Sequence, residues 1–131
     1  MERAAFEKLV AEALRSIPRR FRKEMRNIAI IVEDEPSVEL LHEMGIKPPD
    51  TLLGLYSGVP LPDRSWRGEQ RMPDRILIFQ GPHERGSRDE DDLVIAIGET
   101  LIHEVGHYFG MSEEQIEAIE KRYWFGDDPR A

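Results

Sequence analysis

Apolar residues recur at helical spacing at the start of the chain. Phe6, Leu9, Val10, Ala13, Leu14 and Ile17 predict an amphipathic helix that Pro18 closes or kinks. A second short helical stretch carries Phe21 and Met25, and then the period changes. Ile28 to Val32 is an unbroken, mostly β-branched run followed by Glu33, Asp34, Glu35 and Pro36, which predicts a buried strand ending in a turn. Ser37 to Met44 predicts a short helix with Ser37 as its N-cap and Gly45 as its stop. Thr51 to Val59 carries Leu52, Leu53, Leu55, Tyr56 and Val59 and predicts a second strand, in which Gly54 and Gly58 mark bulges. The polar, turn-rich stretch from Pro60 to Pro73, with Trp66, predicts a long loop or loose hairpin of the kind that often carries function. Arg75 to Gln80 predicts a third strand, and Gly81 to Asp91 a charged loop.

From about Asp92 to Phe109 the pattern is helical with a divided surface. Val94, Ile97, Leu101, Ile102, Val105, Tyr108 and Phe109 fall on one broad side, while Ala96, Glu99, Thr100, His103 and His107 share the other. Gly98 and Gly106 weaken a helix unless something approaches closely, and packing against the sheet would account for Gly98. Gly110 predicts a left-handed stop. Ser112 with Gln115 forms a capping box for a last helix, whose apolar stripe is Ile116, Ile119 and Tyr123. Helices and strands in this proportion make the chain α+β.

Composition narrows what such a domain does. At 131 residues the chain is one domain, residues 1–131, with room for a single core. Its 40% hydrophobic and 34% charged residues are ordinary for a globular protein, which excludes disorder as a property of the whole chain. A net charge of −8 argues against general binding to nucleic acid or to an anionic membrane. The basic run Arg15, Arg19, Arg20, Arg22, Lys23 and Arg26 is a local exception, read as a solvated helix face. There is no cysteine, so any bound ion must be held by histidine and carboxylate. Met1 to Val10 contains Glu2 and Glu7 and lacks the apolar core of a signal peptide, and no stretch reaches the length of a membrane span. The expected location is therefore cytoplasmic, although a mature fragment would read the same way.

The chemistry concentrates between His103 and Glu113. His103, Glu104 and His107 form an H-E-x-x-H pattern, followed by Gly110 and then by Glu113 six residues beyond the second histidine. Histidines at i and i+4 share one helix face, close enough to bind one ion, and they lie away from the apolar side where packing would recruit them. A straight helix would carry residue 113 along the axis away from His107, so the break at Gly110 is what allows a third ligand to return. Glu113 is the candidate third ligand, with Glu114 and Glu117 as alternatives. An acid in the first turn is also favoured by the helix dipole, with or without a metal. His42 and His83 fall in or beside segments expected at the surface and are not taken as ligands. Glu99, one turn before His103, is either an acceptor for a histidine N–H or a plain surface residue.

Beyond the motif, the chain resembles the small bacterial minimal zincins, short metallopeptidase-like domains. The matching stretches are Leu53-Gly54-Leu55-Tyr56 with Gly58-Val59-Pro60-Leu61, then Pro73-Asp74-Arg75-Ile76 leading into Leu77-Ile78-Phe79, and the block from Glu99 to Gly110. The resemblance implies a minimal zincin-like fold: a small mixed sheet of three or four strands, an N-terminal backing helix, the motif helix beneath the sheet and a C-terminal helix. It also implies one Zn²⁺ on His103, His107 and Glu113. Related zincins carry Asp at the third position and metzincins carry His, whereas this chain carries Glu, and no Met-turn follows.

The expected function is that of a zinc-dependent metallopeptidase acting on a peptide or protein substrate. Three protein ligands leave a fourth position for a water of lowered pKa, and Glu104 serves as general base. A strand at the sheet edge is placed to hold the substrate backbone. Tyr56, Tyr123 and the arginines between residues 60 and 75 are candidate oxyanion stabilisers, each with packing as its competing role. Two alternatives remain open: a non-catalytic zinc-binding or protein-interaction domain on the same scaffold, and a helix whose histidines bind no metal.

Overall fold

The computed structural model describes residues 1–58 and 74–125. The polar stretch between the second and third strands, including Trp66, lies outside the described residues. Among the described residues, six helices and three strands follow one another in the order α1 (Arg3–Ser16), α2 (Arg19–Glu24), β1 (Ile28–Glu33), α3 (Val38–Glu43), β2 (Gly54–Ser57), β3 (Asp74–Phe79), α4 (Gln80–Arg85), α5 (Glu90–Tyr108) and α6 (Glu113–Phe125), with a 3-10 turn at Met25–Asn27. The sheet is mixed, in the order β1-β3-β2, with β1 parallel and β2 antiparallel to the central β3. This is the small mixed sheet with several helices expected of a minimal zincin-like fold.

The apolar periodicity explains how the layers meet. Phe6, Val10 and Ala13 of α1 are buried against α5, as the amphipathic pattern requires. Ile17 follows in an extended conformation, which the next residue, Pro18, favours, and the helix ends there. Ile76 and Ile78 alternate into the core from β3 and meet Ile97, Leu101 and Val105 of α5. Full burial of an aliphatic side chain of this size contributes about 1.5–3 kcal/mol, so this cluster fixes the height of α5 relative to the sheet.

Three segments differ from the pattern. The stretch Gly81 to Asp91 is not simply a charged loop, because its first half is the helix α4. Gly81 and Pro82 read as turn punctuation, but both lie in the first helical turn, where Pro removes no intrahelical bond. Tertiary contacts then hold the helix: Arg85 makes two hydrogen bonds to the Glu35 carboxylate, at 2.6 and 2.9 Å, and the Gly81 N–H donates to Asp34 O. His83, expected at the surface, is 1% exposed. The second strand is shorter than Thr51 to Val59: Leu53 accepts from Phe79 N, but strand pairing spans only Gly54–Ser57, and Val59 lies outside the described residues. Finally, the polar side of α5 is not uniformly exposed, since Thr100 and Glu104 are buried. β2 packs across that side, and Gly54 permits it: a Cβ there would sit 2.5 Å from Thr100 Cγ2 and 2.9 Å from Leu77 O.

Candidate metal centre

α5 carries the first three residues of the centre. Asp89 caps its N-terminus by accepting from Asp92 N at 2.8 Å, and Glu90, Asp91 and Asp92 supply acids to the first turn. One turn of separation places the rings of His103 and His107 edge to face, with centroids 4.8 Å apart and each side chain about one third exposed. Glu104, between them in sequence, is buried at 5% exposure. Its Oε1 accepts from Tyr56 N at 2.7 Å and lies 3.2 Å from His107 Nδ1. Both contacts fall on one carboxylate oxygen and leave Oε2 out of them.

The chain then reverses within a few residues. Gly110 adopts φ 73°, a left-handed conformation suited to glycine, and the bonds Gly110 N to His107 O and Met111 N to Gly106 O close a Schellman motif. The capping box follows: Gln115 N donates to Ser112 Oγ at 3.1 Å, and Ser112 N donates to Gln115 Oε1 at 2.9 Å. α6 lies close against α5 because Gly106 has no side chain. A Cβ at that position would stand 2.4 Å from Ile116 Cγ1, and Ile116 is itself 1% exposed.

This turn returns Glu113 to the histidines. Glu113 Oε1 is 2.9 Å from His107 Nε2, and Glu113 Oε2 is 3.3 Å from His103 Nε2. Ligand atoms at the corners of a tetrahedral zinc site, each about 2.0–2.1 Å from the ion, lie roughly 3.3 Å apart, so these separations suit donors to a common ion. Glu104 also offers an atom within 4.8 Å of donor atoms of both histidines. Its Oε1, however, is held by the Tyr56 amide and faces Nδ1 of His107, whereas Glu113 faces Nε2 of both rings. Among the described residues it is Glu113, and not Glu114 or Glu117, that makes this contact.

The electrostatics favour positive charge at the same point. Burial pushes the His107 imidazole down, but the bond to Glu113 and the charge and bond of Glu104 outweigh it and hold its pKa above the ordinary histidine value. The bond from His107, opposed by slight burial and helped by the charges of both histidines, holds the Glu113 carboxyl below the usual carboxylate range. Two imidazoles and a carboxylate are a borderline donor set that suits zinc, and the chain has no thiol to compete.

The carboxylate facing His103 Nδ1 belongs to Glu120, at 3.1 Å, and not to Glu99. Glu99 is exposed, as its reading as a surface residue has it, and forms one wall of a cleft of about 370 Å³ that also involves Thr51, Leu52, Gly54, His103 and Glu120, where partial burial and the charge of Glu120 raise its carboxyl pKa. Spacing on α6 is the signal that would have found Glu120, because it lies about two helical turns beyond Glu113 on the same face. His83, expected beside a surface segment and not taken as a ligand, is buried: its ring nitrogens bond Phe79 O at 2.8 Å and Thr100 Oγ1 at 2.9 Å, and burial lowers its pKa despite backbone bonds that oppose the shift. His42 is exposed. Tyr56 donates its hydroxyl to Asp74 Oδ1 at 3.3 Å and packs its ring on Tyr108. Tyr123 falls within α6, and its side chain is outside the description. Arg15, Arg19, Arg22 and Lys23 are exposed, in keeping with a solvated basic face. Among the described residues, no helix is long and apolar enough to cross a membrane.

Comparison with known proteins bears on the family and the fold. A family described as zincin-like metallopeptidase matches residues 25–123. No curated protein matches. Among solved structures, a conserved hypothetical protein from Thermo thermophilus is similar over 92% of this chain and 99% of its own, with a TM-score of 0.52 and 20% identity, which speaks to fold alone.

Proposed function

Because the chain belongs to the zincin-like metallopeptidase family, we propose that it is a zinc-dependent peptidase in which His103, His107 and Glu113 hold the ion and Glu104 is the general base. The observation that carries this reading is the convergence of both Nε2 atoms on the Glu113 carboxylate, with the buried Glu104 alongside. Zinc, when bound, supplies the Lewis acidity that acidifies water and polarises a peptide carbonyl.

The chain's own residues account for the remaining steps. Glu104 has one oxygen tied by the Tyr56 N–H, which leaves Oε2 to take a proton from the attacking water and return it to the leaving amine. Burial of Glu104 keeps this proton transfer away from bulk solvent. Among the described residues β2 is an edge strand of the sheet, and the cleft beside it runs past Glu104, so an extended peptide adding to that edge would bring a carbonyl to the histidines. The substrate class is therefore a peptide or a protein segment in extended form.

The test is cleavage of a broad peptide library by zinc-loaded protein. Wild type should cleave, and Glu104→Gln should bind zinc and lose about 10²–10⁴-fold in kcat. A wild-type protein saturated with zinc that cleaves nothing would instead establish the scaffold as a non-catalytic zinc-binding domain.

A further inference from the structure

We infer that Glu120 is a positioning residue for the metal centre: it accepts the Nδ1–H of His103 and holds that ring with Nε2 free for the ion. This rests on the metal reading of His103, His107 and Glu113. A neutral imidazole carries one N–H, so a ring that binds through Nε2 must place its proton on Nδ1. His103 is one-third exposed, and rotation of its ring would exchange the two nitrogens unless a partner selects one. Glu120 Oε1 stands 3.1 Å from Nδ1 while Glu113 Oε2 stands 3.3 Å from Nε2. A carboxylate at Nδ1 makes the bond charge-assisted, fixes the tautomer and increases the basicity of the opposite nitrogen.

The position of Glu120 follows from helix geometry and one close contact. Glu113, Ile116 and Glu120 recur at helical spacing along one face of α6. Ile116, between the two acids, is buried against the bare backbone of Gly106, which lies between the histidines in sequence. That contact sets the register of α6 on α5, so a single rigid helix delivers the third ligand and the positioning carboxylate together. His107 has its own acceptor at Nδ1, but that acceptor is Glu104, which also takes the Tyr56 N–H. Glu120 makes no such second contact among the described residues.

Zinc affinity, measured by competition with a chromophoric chelator, and the ¹⁵N imidazole resonances of His103 test the assignment together. Glu120→Ala should weaken zinc binding about 10–100-fold and leave His103 a mixture of tautomers. Glu120→Gln, whose amide oxygen still accepts, should restore the Nδ1–H tautomer and most of the affinity. Glu120→Lys, which only donates, should repeat the loss in a second background. Glu117→Gln removes an exposed charge from the same helix and should leave both readouts unchanged. Wild-type affinity and an unchanged tautomer in Glu120→Ala and Glu120→Lys would overturn the proposal, and so would an equal loss in Glu117→Gln. A wild-type protein that binds no zinc would remove the metal reading itself, an outcome visible before any substitution is made.

Discussion

The backbone N–H of Tyr56 donates to the carboxylate of Glu104 at 2.7 Å, joining the strand β2 to the helix that carries the histidines. The bond depends on how closely β2 lies over α5, and Gly54 sets that distance. A Cβ at position 54 meets Thr100 Cγ2 at 2.5 Å and the backbone oxygen of Leu77 at 2.9 Å. Gly54→Ala should therefore destabilise the fold by about 1–3 kcal/mol, measured by denaturant unfolding. Thr100→Ser in the same background should recover only part of the loss, because the Leu77 carbonyl remains in place. Unaltered stability in Gly54→Ala would show that β2 does not sit where the contact requires.

His83 makes stability depend on pH. Burial lowers its folded pKa below the ordinary value of 6.5, so the neutral ring is the form the fold accepts. The unfolded chain takes up a proton first as pH falls, and stability is lost progressively below about 6.5, by at most about 1.4 kcal/mol per pH unit for this one group. Above that pH the contribution is fully present. Unfolding midpoints between pH 8 and 5 should show the decline in wild type and a shallower one in His83→Gln. Equal slopes in the two proteins would assign the acid sensitivity to other groups.

Zinc affinity should fall as pH drops, starting above the ordinary histidine range. The pKa of His107 is raised by Glu113 and Glu104 against the effect of burial, so protons compete for its Nε2 earlier than for a free imidazole. Each displaced proton contributes about tenfold in affinity per pH unit. Competition titrations from pH 8 to 5 measure this, and a flat profile would contradict ligation by imidazole.

Much of this structure is legible in the residue pattern, for reasons that also explain what is not. α1, β1, α5 and the Ser112–Gln115 capping box rest on local periodicity and hydrogen bonding, and local rules describe them. α4 escapes those rules because Gly81 and Pro82 read as a break, while the bonds that hold the helix reach Glu35 and Thr100, far away in sequence. The burial of Thr100 and Glu104 comes from β2 lying over them, which no helical projection of α5 contains. Glu99 is the acid that spacing within α5 offers to His103, but Glu120 is the one that faces it, because the register between α5 and α6 is set by Ile116 against Gly106. Contacts within an element follow from the sequence, and contacts between elements depend on packing.

The central claim is that His103, His107 and Glu113 are ligands of one zinc ion. Zinc K-edge X-ray absorption on protein carrying one equivalent of metal tests it most directly. The account predicts scattering from two imidazoles and from oxygen at about 2.0–2.2 Å, and from three imidazoles in Glu113→His. A shell without two imidazoles, or a spectrum that Glu113→His leaves unchanged, would contradict it.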